Sequence, residues 1–360
     1  MPADLLPTPP PKRLPPPTTF QIVQRWVNSH KALTVAAVAF LITGSAGAAV
    51  YVYQQQHRRK RRAKKSAGGA RTEVVVVAGS VANPLTSALY LDLERRGFVV
   101  CVVTNTSEDE RYIRSQSRAD VLPLQLDLVD PYAAQEQLSR FSNLLAREHR
   151  AFEDAEPHKL SFVGLILVPD TQGAAMRIED ISSEEWSDAL NAKVLNTIAT
   201  TQLFLPALAE HKSKILLLTP SVTPALRLPM HAVQNTVYGA LEGFTSSLAA
   251  EVRELDISVS HFKLGNIDIP LATSRSRTEN APAQRVKATP VRKLHDSVFD
   301  ALVSRRPART YHVGRGSLAY DVIGRWAPVG VVGYMMGASK PPKDVEIDEL
   351  NGSWEKVDEA

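Results

Sequence analysis

From Glu73 onward, short apolar runs alternate with longer segments whose apolar positions recur every three or four residues. Val74–Ala78, Phe98–Thr104, Val121–Leu126, Phe162–Val168, Ile215–Thr219 and Ile257–Phe262 are continuous and largely aliphatic or β-branched, which predicts strands buried on both faces. Leu85–Arg96 (closed by Gly97), Pro131–Arg150, a long segment from about Glu184 to Ala209, and His231–Leu255 carry the helical period. Such strands separated by such helices predict an α/β fold, a doubly wound parallel sheet of Rossmann type over residues 72–316.

The flanks follow other rules. Residues 1–31 form a Pro-rich segment, with eight of the 24 prolines inside the first 19 positions and no apolar period to build a core. Leu33–Tyr53 is 21 residues without a charge, enough to cross the hydrocarbon, so an N-terminal transmembrane helix is predicted over 32–54. A buried globular helix would need partners on every side. A cleaved signal peptide would not lie behind about 30 residues with a basic block directly after it. That block, Arg58-Arg59-Lys60-Arg61-Arg62 with Lys64-Lys65, opens a polybasic flank and linker (55–71) and orients the body toward the cytosol.

Ala272–Pro290 reads as a polar loop and 340–360, with seven acids and three lysines, as an acidic tail. Between them, 317–339 is strongly apolar but broken at Pro328 and interrupted by Asp321 and Arg325. It reads as a peripheral membrane or ligand-gating element, with a helix packed on the sheet edge as the alternative.

Charge changes one conclusion. The sequence pI is about 9.1, yet the chain is +4 overall while its first 65 residues carry +10, so the remainder is −6. A mildly acidic body predicts no nucleic-acid partner. The single cysteine, Cys101, lies in an apolar run and excludes an internal disulfide and a cysteine-based metal site; no metal site is expected.

The segment from Lys214 to Pro270 carries the chemistry-bearing pattern: an apolar strand closing on Ser221, then a helix containing Leu241-Glu242-Gly243-Phe244-Thr245-Ser246-Ser247, then a further strand. This resembles the strand–serine–YxxxK–helix core of the short-chain dehydrogenase/reductase (SDR) superfamily. The resemblance covers about Glu73 to Gly314. In that register the tyrosine falls at position 234, thirteen residues after Ser221, and the lysine at 238; the chain has Gln234 and Tyr238. The family's asparagine falls at Lys193. Its phosphate turn, TGxxxGxG, is Ala78-Gly79-Ser80-Val81-Ala82-Asn83-Pro84-Leu85, where only Gly79 matches. Asp127 matches the adenine-contacting aspartate, or caps the next helix together with Asp130. Asn83 and Pro84 can start a helix without a phosphate.

The resemblance implies a tyrosine acid, a lysine that lowers its pKa and a serine that holds the substrate oxygen. A glutamine amide has no proton to give at neutral pH, so Gln234 cannot be that acid. Two functions follow. One is a non-catalytic binding or scaffold module at a membrane, without a cofactor, taking a protein partner or a lipid-like ligand. The other is an NAD(P)H-dependent oxidoreductase of a lipid-like carbonyl, in which Tyr238 and Lys193 face one cleft and rebuild the acid beside Ser221, with Gly79, Asn83 and Asp127 at the cofactor. The anchor, the prolines and the altered motifs together resemble a divergent fungal group of membrane-bound SDR-like proteins. That resemblance implies a mitochondrial or endoplasmic-reticulum setting, of which the mitochondrial outer membrane is favoured. Small residues on the 231–255 helix, Gly239, Ala240 and Gly243, predict a homodimer.

Overall fold

A computed structural model of the chain describes residues 28–30, 61–128, 130–150, 156–170, 175–269 and 288–326. Its strands are β1 (Glu73–Gly79), β2 (Val99–Thr104), β3 (Val121–Gln125), β4 (Ser161–Val168), β5 (Lys214–Pro220), β6 (Ser258–Leu264) and β7 (Thr310–Val313). They form one sheet in the order β7-β6-β5-β4-β1-β2-β3, parallel at every pairing. Parallel neighbours need long crossovers, and helices supply them. These are α1 (Pro84–Arg96), α2 (Ser107–Ser115), α3 (Pro131–Ala146), α4 (Ser183–Ala189), α5 (Asn196–Glu210), α6 (Val222–Leu226), α7 (Ala232–Glu251) and α8 (Val291–Val303). A last helix, α9 (Ser317–Trp326), follows β7.

Alternation along each strand divides the core in two. Val74, Val76 and Ala78 of β1 join one cluster with Phe141, Phe162, Phe204 and Leu241; Val75 and Val77 join the other with Leu89, Phe98, Phe299 and Leu302. Burying a side chain such as Phe162 contributes about 1.5–3 kcal/mol. Its ring meets Phe141 edge-on, centroids 5.4 Å apart.

Local chemistry sets the helix ends. Asn83 Oδ1 accepts the Leu85 N–H at 2.9 Å and Pro84 takes the first helical position, as the sequence predicts. Gly97 closes α1 at φ 101°, a conformation that favours glycine.

Four segments differ from the sequence expectation. The third helix stops at Ala146, and Glu148–His149 then pairs antiparallel with His158–Lys159, a two-residue ladder too short to leave a pattern. The long helix expected from Glu184 to Ala209 is interrupted by a π-helical turn at Leu190–Leu195. The helix expected to Leu255 ends at Glu251 and tightens into a 3-10 turn over Val252–Leu255. Residues 61–71, expected as flank and linker, are packed into the body: Arg61 pairs with Asp296 at 2.6 Å and Asp300 at 2.7 Å, Ala63 is buried, and Arg71 donates to the Glu94 and Phe98 carbonyls.

Contacts divide the chain into Met1–Lys60 and Arg61–Ala360. In the first unit, residues 28–30 form a helical turn. The predicted span 32–54, most of the 272–290 loop and the 340–360 tail lie outside the described residues; among those described, no helix is long and apolar enough to cross a membrane.

Gly79 is kept by packing. A Cβ there would lie 2.7 Å from the Val168 carbonyl oxygen and 2.9 Å from Val168 Cβ, on the neighbouring strand. Gly79→Ala is therefore expected to destabilise the body by about 1–3 kcal/mol, the usual range for overpacking. Chemical denaturation of the wild-type and variant proteins checks this.

Candidate functional site

In a sheet of this order the strand sequence reverses between β1 and β4, and the carboxyl ends of the strands there form a crevice. Two cavities lie along that edge. One, of about 480 Å³, is lined by Asn83, Leu85, Pro169, Leu218, Pro220, Thr223, Pro224, His231, Gln234, Tyr238, Leu264, Gly265, Ile267 and Ile269. The other, of about 340 Å³, is lined among others by Gly79, Ser80, Asn105, Thr106, Asp109, Asp170, Lys193 and Asn196. A third, of about 520 Å³, opens between α6, α7 and α9 and shares Pro224 and Tyr238 with the first.

The cofactor positions are taken up by structure. Asn83 spends its side-chain oxygen on the cap of α1, Gly79 is closed in by Val168, and Leu85 lines the first cavity. Asp127 is exposed and accepts the Asp130 N–H at 3.3 Å, while Asp130 caps α3 through the Tyr132 and Ala133 N–H groups. Asp130 is thus the cap of α3, and Asp127 holds the turn that leads into it. The first cavity has no Asp, Glu, Lys or Arg among its described lining residues. It offers a pyrophosphate no lysine or arginine, whereas the second cavity brings Gly79, Ser80 and Lys193 together. Among the described residues, no group of three or more His, Cys, Asp or Glu side chains could hold a metal ion.

The catalytic positions are dispersed. Ser221 is fully buried; its hydroxyl donates to the Leu264 carbonyl at 3.0 Å and lies 3.1 Å from Ser317 Oγ, and it lines none of the three cavities. Gln234 lines the first cavity. Lys193, on the π-helical turn, lines the second, and Tyr238 lines the first and third. Lys193 and Tyr238, expected to face one cleft, line different cavities that adjoin at Pro169. The charged neighbour that acts on the tyrosine is instead Lys263 of β6.

Lys263 and its neighbours are the residues that the sequence reading missed. The ammonium, 5% exposed, donates to Glu242 of α7 and Asp321 of α9, both at 2.8 Å. Burial opposes its charge, but hydrogen bonds to Asp321 and Glu242 hold it protonated above the ordinary lysine range. Burial, then the Glu242 charge, push Tyr238 up to about 12 despite the nearby ammonium. That tyrosine keeps its proton at neutral pH and is poorly matched to give it up. Burial and the Lys263 charge push His261 down to about 4; its Nε2 lies 2.7 Å from Thr219 Oγ1 and its ring 5.9 Å from that of Tyr238. A signal was present in the sequence. His261 and Lys263 break an apolar strand two residues apart, and Tyr238 and Glu242 share a helix face at i, i+4.

The depressed His261 gives the fold an acid-side weakness. Its contribution is fully present above about pH 6.5, where the unfolded imidazole is neutral too. It is lost as pH falls toward about 4, because the unfolded chain takes up the proton first. On the order of 3 kcal/mol should disappear across that window. His261→Gln, which keeps a partner for Thr219, is expected to flatten the slope of unfolding free energy against pH there; an unchanged slope would show that other groups set it.

Comparison with known proteins places this architecture. The chain is 28% identical over 257 residues to the UPF0744 protein C106.03 of Schizosaccharomyces pombe, covering 71% of this chain and 68% of that protein. A shorter match, 33% over 82 residues, covers 23% of this chain and 24% of a very-long-chain 3-oxoacyl-CoA reductase of Laccaria bicolor. Among solved structures, a short-chain dehydrogenase of Burkholderia cenocepacia in complex with NADP superposes with a TM-score of 0.51 at 17% identity, over 76% of this chain and all of that one. A short-chain oxidoreductase of Pseudomonas aeruginosa, described as having an atypical catalytic center, gives 0.52 at 15%, over 67% and 94%. At such identities these two show the fold alone, which is SDR-like. The model of a fungal family of unknown function, DUF1776, matches residues 70–286 and 271–333, and the chain belongs to that family.

Proposed function

We propose that this protein is a non-catalytic binding module on an SDR-like body, working at a membrane and taking a neutral, largely apolar ligand in the 480 Å³ cavity. One observation carries the reading. Positions 83, 85, 234 and 238, where the chain departs from the SDR pattern, all line that one cavity. The replacements are coherent: Leu85 extends an apolar wall made by Leu218, Leu264, Ile267 and Ile269, while Gln234, Tyr238 and Thr223 provide uncharged hydrogen-bonding groups and His231 an imidazole. Such a lining favours a ligand with an apolar body and a carbonyl or hydroxyl at one end.

The rearranged oxidoreductase is the weaker reading. It needs Tyr238 to give up a proton near neutrality and Lys193 to assist. The tyrosine stands at about 12, and its neighbour is a lysine already paired to two carboxylates.

Two measurements separate these readings. Nile red, a neutral apolar probe, is expected to bind the full-length protein in a detergent-free nanodisc, with NADH and NADPH giving no heat of binding by calorimetry. Gln234→Lys, which sets a charge into the cavity, should weaken the probe at least about tenfold, equivalent to ~1.4 kcal/mol. Saturable NADPH binding would overturn the proposal. In cells deleted for the gene, Tyr238→Phe and Lys193→Ala are each expected to restore the phenotype. If both behave as null alleles at normal protein level, the oxidoreductase reading stands instead.

A further inference from the structure

We infer that α9 is a lipid-facing element whose outer side seats in the headgroup–acyl boundary of an anionic bilayer. A surface helix ordinarily turns its apolar stripe to the core and its polar side to water. In α9 the polarity is reversed. Ser317, Asp321 and Gly324 point inward: Ser317 donates to the Lys263 carbonyl at 2.5 Å, Asp321 takes the Lys263 ammonium at 2.8 Å, and Gly324 lies so close to the Ala225 backbone that no Cβ fits. Leu318, Val322, Ile323 and Trp326 are left outward, with exposures of 59%, 48%, 46% and 84%. Rolling the helix to hide that stripe would strip buried Lys263 of one carboxylate and expose the close Gly324–Ala225 packing. Breaking a buried pair in this way is strongly unfavourable.

Charge and sequence select the occupant. The one acid of α9, Asp321, is turned inward and neutralised. Arg315, exposed, stands just before the helix and Arg325 falls in its last turn, so basic positions bracket the stripe and complement anionic headgroups. Beyond the helix the chain stays uncharged from Trp326 to Ser339, fourteen residues, and then meets Lys340 and Lys343. Trp326 completes the pattern, since an indole is favoured at the membrane–water boundary. None of these observations depends on what fills the 480 Å³ cavity.

The full-length protein, reconstituted in vesicles of phosphatidylcholine and phosphatidylglycerol in equal amounts, can report this through bromine carried on the lipid chains, which quenches nearby tryptophans. A quenched component is expected that disappears in Trp326→Phe. In Ile323→Asp, which keeps Trp326, the component should fall by at least half while the thermal melt stays as in the wild type. Vesicles of phosphatidylcholine alone should quench it less. Identical quenching in wild type and Trp326→Phe overturns the inference, because Trp326 then lies beyond reach of the lipid. So does chemical cross-linking that joins two copies through the α9 face.

Discussion

A single buried ammonium organises the carboxyl edge of this molecule. Lys263 sits at the end of a strand whose other residues are core, and a charge there persists only if carboxylates meet it. One comes from α7 and one from α9, elements far apart in sequence, so satisfying one charge fixes two helices against the same strand. The neighbouring hydroxyls extend the tie: Ser317 bonds the Lys263 carbonyl and meets Ser221. Ser221 and the helix that carries Glu242, the places matched to the SDR serine and YxxxK helix, here make contacts that hold a C-terminal helix.

The same fold thus stands with its motif positions altered. The phosphate turn no longer needs its second and third glycines once Asn83 caps α1 unaided, but Gly79 remains because β4 passes too close for any side chain. A retained motif residue is therefore no sign of a retained ligand. Leu85 and Gln234 are in turn no sign of decay, since they line one cavity with Leu218 of β5, Leu264 of β6 and the isoleucines that follow β6.

Most of the architecture was legible because it is local. Continuous apolar strands, the Asn83–Pro84 start and the Gly97 stop of α1 are each written within a few residues. The capping role of Asp130 was equally readable, beside the cofactor contact that the resemblance implied for Asp127. The π-helical turn at Leu190–Leu195 and the small ladder at Glu148–His149 were not, because tertiary packing and a two-residue pairing impose no period on the sequence. Lys263 was hardest of all. Its meaning depends on Glu242 and Asp321, which stand 21 positions before it and 58 after it, and no local rule joins them.

The inward-facing Asp321 has an evolutionary consequence. A buried carboxylate without its ammonium, or the reverse, is far less stable than either the intact pair or a well-packed apolar replacement of both. Relatives that keep α9 in this position should therefore keep Lys263 and Asp321 or change them together, whereas drift at one site alone would release the helix. The two positions are then expected to be inherited as one character, and their joint presence would mark the relatives that carry a docked C-terminal helix.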